Sequence, residues 1–244
     1  MKIRNRNLYA SISFILIFII GFASDVVALN YTFGFTTDEE LVWKCNFCDI
    51  NKMNNIFGEN WSSTGLFENL SQGKRMRWQG YVTKINDTSL SRTFNISVWK
   101  NEGSYDYSTE FSYLKDPSQY EANYNLSNAI PFVPFWLPVP VGNYLGELNL
   151  SSIYDVDNRV LPTINVQISR GFLEPSLPSE KVYIIAIYNS DGILSSFKLY
   201  TIGNVVVIDI IFESLPIYVV PLTIGLICAF FIAIILYVKK KRKK

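Results

Sequence analysis

Between two uncharged, largely apolar runs, apolar and polar residues alternate with a period of two, the pattern of strands buried on one face. Residues 76–85 and 93–100 show it well, and the polar stretch NDTSLS between them predicts a hairpin. In TFNISVWK, Phe94, Ile96 and Val98 fall on one face, with Thr93, Asn95, Ser97 and Trp99 on the other. Leu41, Trp43, Cys45 and Phe47 alternate in the same way. The last third is the most regular. Residues 182–188 are β-branched and aromatic, NSDG turns the chain into 193–200, and Gly203-Asn204 turns it again into 205–212. This predicts a three-stranded antiparallel meander, with Ile193, Ser195, Phe197 and Leu199 together on one side. Its last strand is apolar on both faces and needs cover.

Helix signals are short. Asp49 caps a helix ending at Gly58, with Ile50, Met53 and Phe57 on one side. DPSQYEAN offers an Asp116 cap, Pro117 at the first helical position and Gln119 to complete a capping box. Neither supports a bundle, and no repeat or long linker divides the chain. The expected fold is mainly β: one antiparallel β-rich domain over 24–214, an open half-barrel or a sandwich, with one or two short helices.

One stretch breaks the alternation: IPFVPFWLPVPVGNYL, 130–145. Pro131, Pro134, Pro138 and Pro140 forbid a regular helix and disfavour a central strand. Phe132, Phe135, Trp136 and Leu137 are too apolar for a solvated loop. The pattern predicts a rigid strap packed across an open sheet. Two functional alternatives stand beside it: Phe132, Phe135 and Trp136 as a lid over an apolar, lipid-like ligand, or a loop dipping into lipid headgroups.

The apolar runs set topology. Lys2, Arg4 and Arg6 precede an apolar run to Phe22 and small residues, the order of a signal peptide over 1–23, cleaved after Ala23 or Ala28. Residues 215–238 carry no charge and are long enough for a transmembrane helix, with Tyr218 and Tyr237 near its ends. The basic tail 239–244, KKKRKK, places the C-terminus in the cytoplasm and the domain outside the cell membrane. Charge then changes meaning. The overall +1 hides a middle region holding all 21 acidic residues and only thirteen of the 22 basic ones, which argues against nucleic acid as a partner.

Seven glycosylation sequons, at Asn30, Asn60, Asn69, Asn86, Asn95, Asn125 and Asn149, fit an outside location, where chance would give roughly three. None lies beyond Asn149, so the rest of the domain would be bare, as a contact surface or simply as tightly paired strands. Cys45 and Cys48 form a lone CxxC, expected as a small structural disulfide. A strand running straight through both would hold their Cα atoms about 10 Å apart, so a turn is needed there. A redox pair acidified by the following helix is the alternative.

Enzyme chemistry is poorly supplied. With no His there is no Ser-His-Asp or Cys-His catalysis and no His-ligated metal, and no phosphate-binding glycine loop occurs. Asp155-Val156-Asp157-Asn158 opens like a calcium loop, but Arg159 takes the next ligand position, which favours a solvated hairpin turn. No cofactor is implied, and the chain reads as a non-enzyme.

LVWKC near the mature start, DPSQY, IPFVPFWLPVP and YNSDGILSSFKLY together resemble uncharacterised archaeal single-pass cell-surface proteins. That resemblance implies a membrane-anchored binding or structural module. An antiparallel domain with short covering helices also looks like the LolA/LppX-type lipoprotein carriers, which implies an anchored receptor or carrier for an apolar ligand. The C-terminal span and the lack of a lipobox cysteine depart from that family.

Overall fold

The alternation builds nine strands: β1 (Glu40–Cys48), β2 (Arg75–Ile85), β3 (Ser89–Lys100), β4 (Tyr107–Leu114), β5 (Tyr154–Asp157), β6 (Thr163–Ile168), β7 (Val182–Tyr188), β8 (Leu194–Thr201) and β9 (Val205–Phe212). The structure is a computed structural model describing residues 30–174, 176–213 and 230–231. The expected signal peptide (1–23) and basic tail (239–244) lie outside the described residues. So does the expected span over 215–238, except Phe230 and Phe231, which are helical. Among the described residues, no helix is long and apolar enough to cross a membrane.

All nine strands pair antiparallel in one open sheet, in the order β4-β3-β2-β1-β9-β8-β7-β6-β5. A two-sheet sandwich is therefore replaced by a single sheet. It consists of two meanders, β1–β4 and β5–β9, joined along the seam where β1 pairs β9. The expected hairpin is β2–β3, and the expected meander is β7–β9. β9 gains its cover by lying inside the sheet, with Ile208 and Ile210 fully buried on one face.

That buried face carries Trp43, Trp78, Phe94, Ile184, Phe197 and Leu199, each at 0–1% exposure. The connection from β4 to β5 starts at one edge of the sheet and ends at the other, so it must cross the strands between them. Its proline-aromatic segment is the strap. Phe135 packs edge-on against Trp43, centroids 5.0 Å apart, and Trp136 packs edge-on against Tyr113 at 4.7 Å. A segment this rich in proline lacks N–H groups, yet its buried carbonyls still require donors. Tyrosine hydroxyls rooted in the sheet supply them: Tyr154 to Phe132 O (2.9 Å), Tyr188 to Pro134 O (2.7 Å) and Tyr113 to Trp136 O (2.9 Å). The NSDG turn adds backbone bonds, Leu194 N to Phe135 O (2.9 Å) and Leu137 N to Gly192 O (2.8 Å).

Gly192 sits at φ +80°, and a Cβ there would collide with the Leu137 carbonyl oxygen. Gly192→Ala is therefore expected to lose about 2–4 kcal/mol, combining left-handed strain with overpacking. The check is the shift in urea midpoint. A midpoint equal to wild type would mean that the turn does not clamp the strap.

Several local expectations change. Helix α1 (Ile50–Phe57) forms under its Asp49 cap, whose carboxylate accepts from Lys52 N at 2.9 Å, but it buries Met53, Ile56 and Phe57 and leaves Ile50 exposed. A second helix, α2 (Val141–Glu147), begins directly after Pro140, inside the stretch where prolines were expected to exclude one. The last proline sits at the N-cap, where its missing N–H costs nothing. DPSQY makes only a 3₁₀ turn, Pro117–Gln119, although Asp116 does cap it and does receive the Gln119 amide. Trp99 leaves the outer face of β3 altogether. At φ +30° its ring is fully buried and its indole N–H reaches Leu66 O at 2.6 Å. In β8, an irregularity where β7 ends pairs Tyr188 with Leu194, so Leu194 joins Phe197 and Leu199 in the core while Ser195 is only half-buried.

Candidate functional site

The expected lid residues Phe132, Phe135 and Trp136 are at 0%, 1% and 0% exposure, packed as ordinary core. None of them lines the groove described below. The indole N–H groups of Trp78 and Trp136 are buried with no acceptor.

Cys45 and Cys48 come together without the expected turn. β1 continues through both, and a bulge between Cys45 and Phe47 shifts the register by one, so both sulfurs point into the core while Phe47 is expelled to solvent. The structure carries both as buried thiols, each within hydrogen-bonding reach of the other. The Cys45 thiol also donates to Phe47 O at 3.3 Å. Sharing a proton with Cys48 pushes Cys45 up, with burial adding to the rise, and Cys48 is pulled down by the same contact.

Arg92 was not singled out by sequence. It is 3% exposed and donates to Phe35 O (3.0 Å), Thr36 O (3.3 Å) and Thr83 Oγ1 (2.9 Å), with its guanidinium 4.1 Å from the Phe33 ring centre. Burial lowers its pKa. Its contacts pin the segment before β1 to the sheet, a structural use of a buried cation.

Asp155-Val156-Asp157 is strand β5 itself, and the turn comes only after it. Asp157 is engaged by Arg159, with Nη2 to Oδ2 at 2.6 Å, and these bonds hold its carboxyl down at about 2. Among the described residues, no group of three or more His, Cys, Asp or Glu could hold a metal ion.

All seven sequon asparagines are accessible: Asn30, Asn60, Asn69, Asn86 and Asn149 are exposed, and Asn95 and Asn125 are half-buried. Asn95 faces outward between Gln79 and Ser108, opposite the buried Phe94 and Ile96. The half of the sheet built from β5–β9 carries no sequon.

On the outer face of that half lies a groove of about 660 Å³, open to solvent. Directly opposed residues share a face of a sheet, so its lining can be read from register. Asp155, Asn165 and Ile185 form one cross-strand row, and Gln167, Tyr183 and Tyr200 form the next. Ser152 and Asn204 close the ends. Sequence reasoning missed this groove, and its signal was present: polar and tyrosyl residues at the outward positions of four strands, within the stretch lacking sequons. No family model, no curated protein and no solved structure matches the chain.

Proposed function

We propose that the chain is a membrane-anchored binding module of the cell surface: a signal peptide over 1–23, an external β domain, a transmembrane helix over 215–238 and a cytoplasmic basic tail. The domain is read as an open half-barrel whose hollow side is filled by the strap rather than by a ligand. A carrier of apolar molecules would need that hollow, so binding is assigned to the outer face. One observation carries the reading: every sequon asparagine is accessible, all seven precede β5, and the largest groove described lies on the sequon-free half.

The test is mobility of the full chain from its native host, before and after chemical deglycosylation. Treatment is expected to sharpen the band and lower the apparent mass. Replacing all seven asparagines with Gln should give that lower mass without treatment. Protease added to intact cells should remove the domain. Unchanged mobility together with a protected domain would overturn the external placement.

A further inference from the structure

We propose that the outer-face groove over β5–β8 binds a short neutral oligosaccharide. The inference deepens the binding-module reading by naming its ligand class.

Lining chemistry selects the ligand. Tyr183 and Tyr200 are direct cross-strand partners, which sets their Cβ atoms about 5 Å apart and places two aromatic side chains in line across the strands. The apolar C–H faces of pyranose rings pack on such rings. Beside them stand Asn165 and Gln167, two positions apart on β6, so both side chains point to this face. A side-chain amide offers two donors and an acceptor, a match for neighbouring hydroxyls that are themselves donors and acceptors. Asp155 and Asn204 extend the same set.

The hydrogen-bonding groups here are uncommitted, and the Tyr183 ring carries the Lys181 ammonium 5.1 Å from its centroid. Elsewhere on the surface, polar side chains pair with each other: Ser108 with Asn95, Lys84 with Glu110, Lys100 with Asp106. Among the described residues, the side chains of Asp155, Asn165, Gln167, Tyr183, Tyr200 and Asn204 have no protein hydrogen-bond partner. Asp155 is the single charged residue lining the groove, which argues against an anionic or strongly cationic ligand. The volume suits a small ligand, inside the range of about 300–1,000 Å³. A glycan on this face would block the groove, and the face has no sequon.

The experiment uses the full chain in a detergent without a sugar headgroup, titrated calorimetrically with cellohexaose, mannohexaose and chitohexaose. At least one is expected to bind. Tyr200→Ala, and separately Asn165→Ala combined with Gln167→Ala, should each weaken that binding at least about tenfold, the loss of one or two hydrogen-bonding or stacking contacts. Tyr81→Ala, at an exposed tyrosine of β2 in the other half of the sheet, should leave it unchanged. Circular dichroism confirms that each variant is folded, and the Asn165/Gln167 pair, half-buried and exposed, keeps the test valid if Tyr200→Ala is not. Heat from none of the three saccharides, or wild-type affinity in the folded groove variants, would overturn the proposal. Either result leaves the glycosylation and protease tests standing, so failure of the ligand class is distinguishable from failure of the surface assignment.

Discussion

Trp43→Ala is expected to destabilise the domain by about 3–5 kcal/mol, the range for truncating a fully buried large aromatic. The reason is position as much as size. β1 is the strand that pairs both with β2 of the first meander and with β9 of the second, and Trp43 stands at that seam. Its ring is at 0% exposure and packs on Trp78 (5.3 Å), Phe135 (5.0 Å) and Phe212 (5.6 Å), touching β2, the strap and β9 at once. Its indole N–H donates to Leu194 O at 2.7 Å, tying the seam to β8. Domains have total stabilities of about 5–15 kcal/mol, so this loss is a large share. Trp43→Phe keeps most of the packing and should cost less than half as much. Urea unfolding followed by far-ultraviolet circular dichroism measures both. A Trp43→Ala variant within about 1 kcal/mol of wild type would mean that the two meanders do not depend on this seam.

The strands were legible because alternation is a local signal. Residues 76–85 and 205–212 became β2 and β9 nearly to the residue. What the alternation could not carry was register. The bulge after Cys45 reverses the facing of Phe47 and Cys48, and the irregularity at Tyr188 exchanges Ser195 for Leu194. A bulge inserts one residue without changing composition, so nothing in LVWKCNFC distinguishes it from a straight strand. Trp99 failed for a different reason: the 3₁₀ turn Gly65–Phe67, more than thirty residues earlier, supplies the acceptor that holds its ring inside. The strap was legible as a strap, since prolines with large aromatics satisfy few other environments. Its anchoring was not, because the hydroxyls that bind it come from β4, β5 and β7, which only the sheet order brings under it. The groove is the same case. Asn165, Tyr183 and Tyr200 are unremarkable singly, and they become a surface only through pairing between strands.

Alkaline pH should unfold this domain steeply, with the loss beginning near pH 10. Burial raises the hydroxyls that hold the strap: Tyr154 is pushed up to about 12, and Tyr113 and Tyr188 stand well above the ordinary value. Tyr124 is pushed to about 12, again chiefly by burial. In the unfolded chain all four ionise near pH 10. Their folded pKa values are raised, so the stability they contribute is full below pH 10 and is lost as pH climbs toward the folded values. The unfolded state then releases protons that the native state retains. Each such tyrosine removes about 1.4 kcal/mol per pH unit above 10, and the four together would cancel a typical domain stability within about two units. Equilibrium unfolding at pH 8, 10, 11 and 12, with tyrosinate absorbance recorded alongside, checks the slope. Tyr154→Phe separates this from general alkaline damage. It gives up the bond to Phe132 O, about 1 kcal/mol at pH 8, and should lower the slope by one tyrosine's share between pH 10 and 12. Stability that stays level from pH 8 to 11.5 would place these hydroxyls in water, and the strap would then lie free of the sheet.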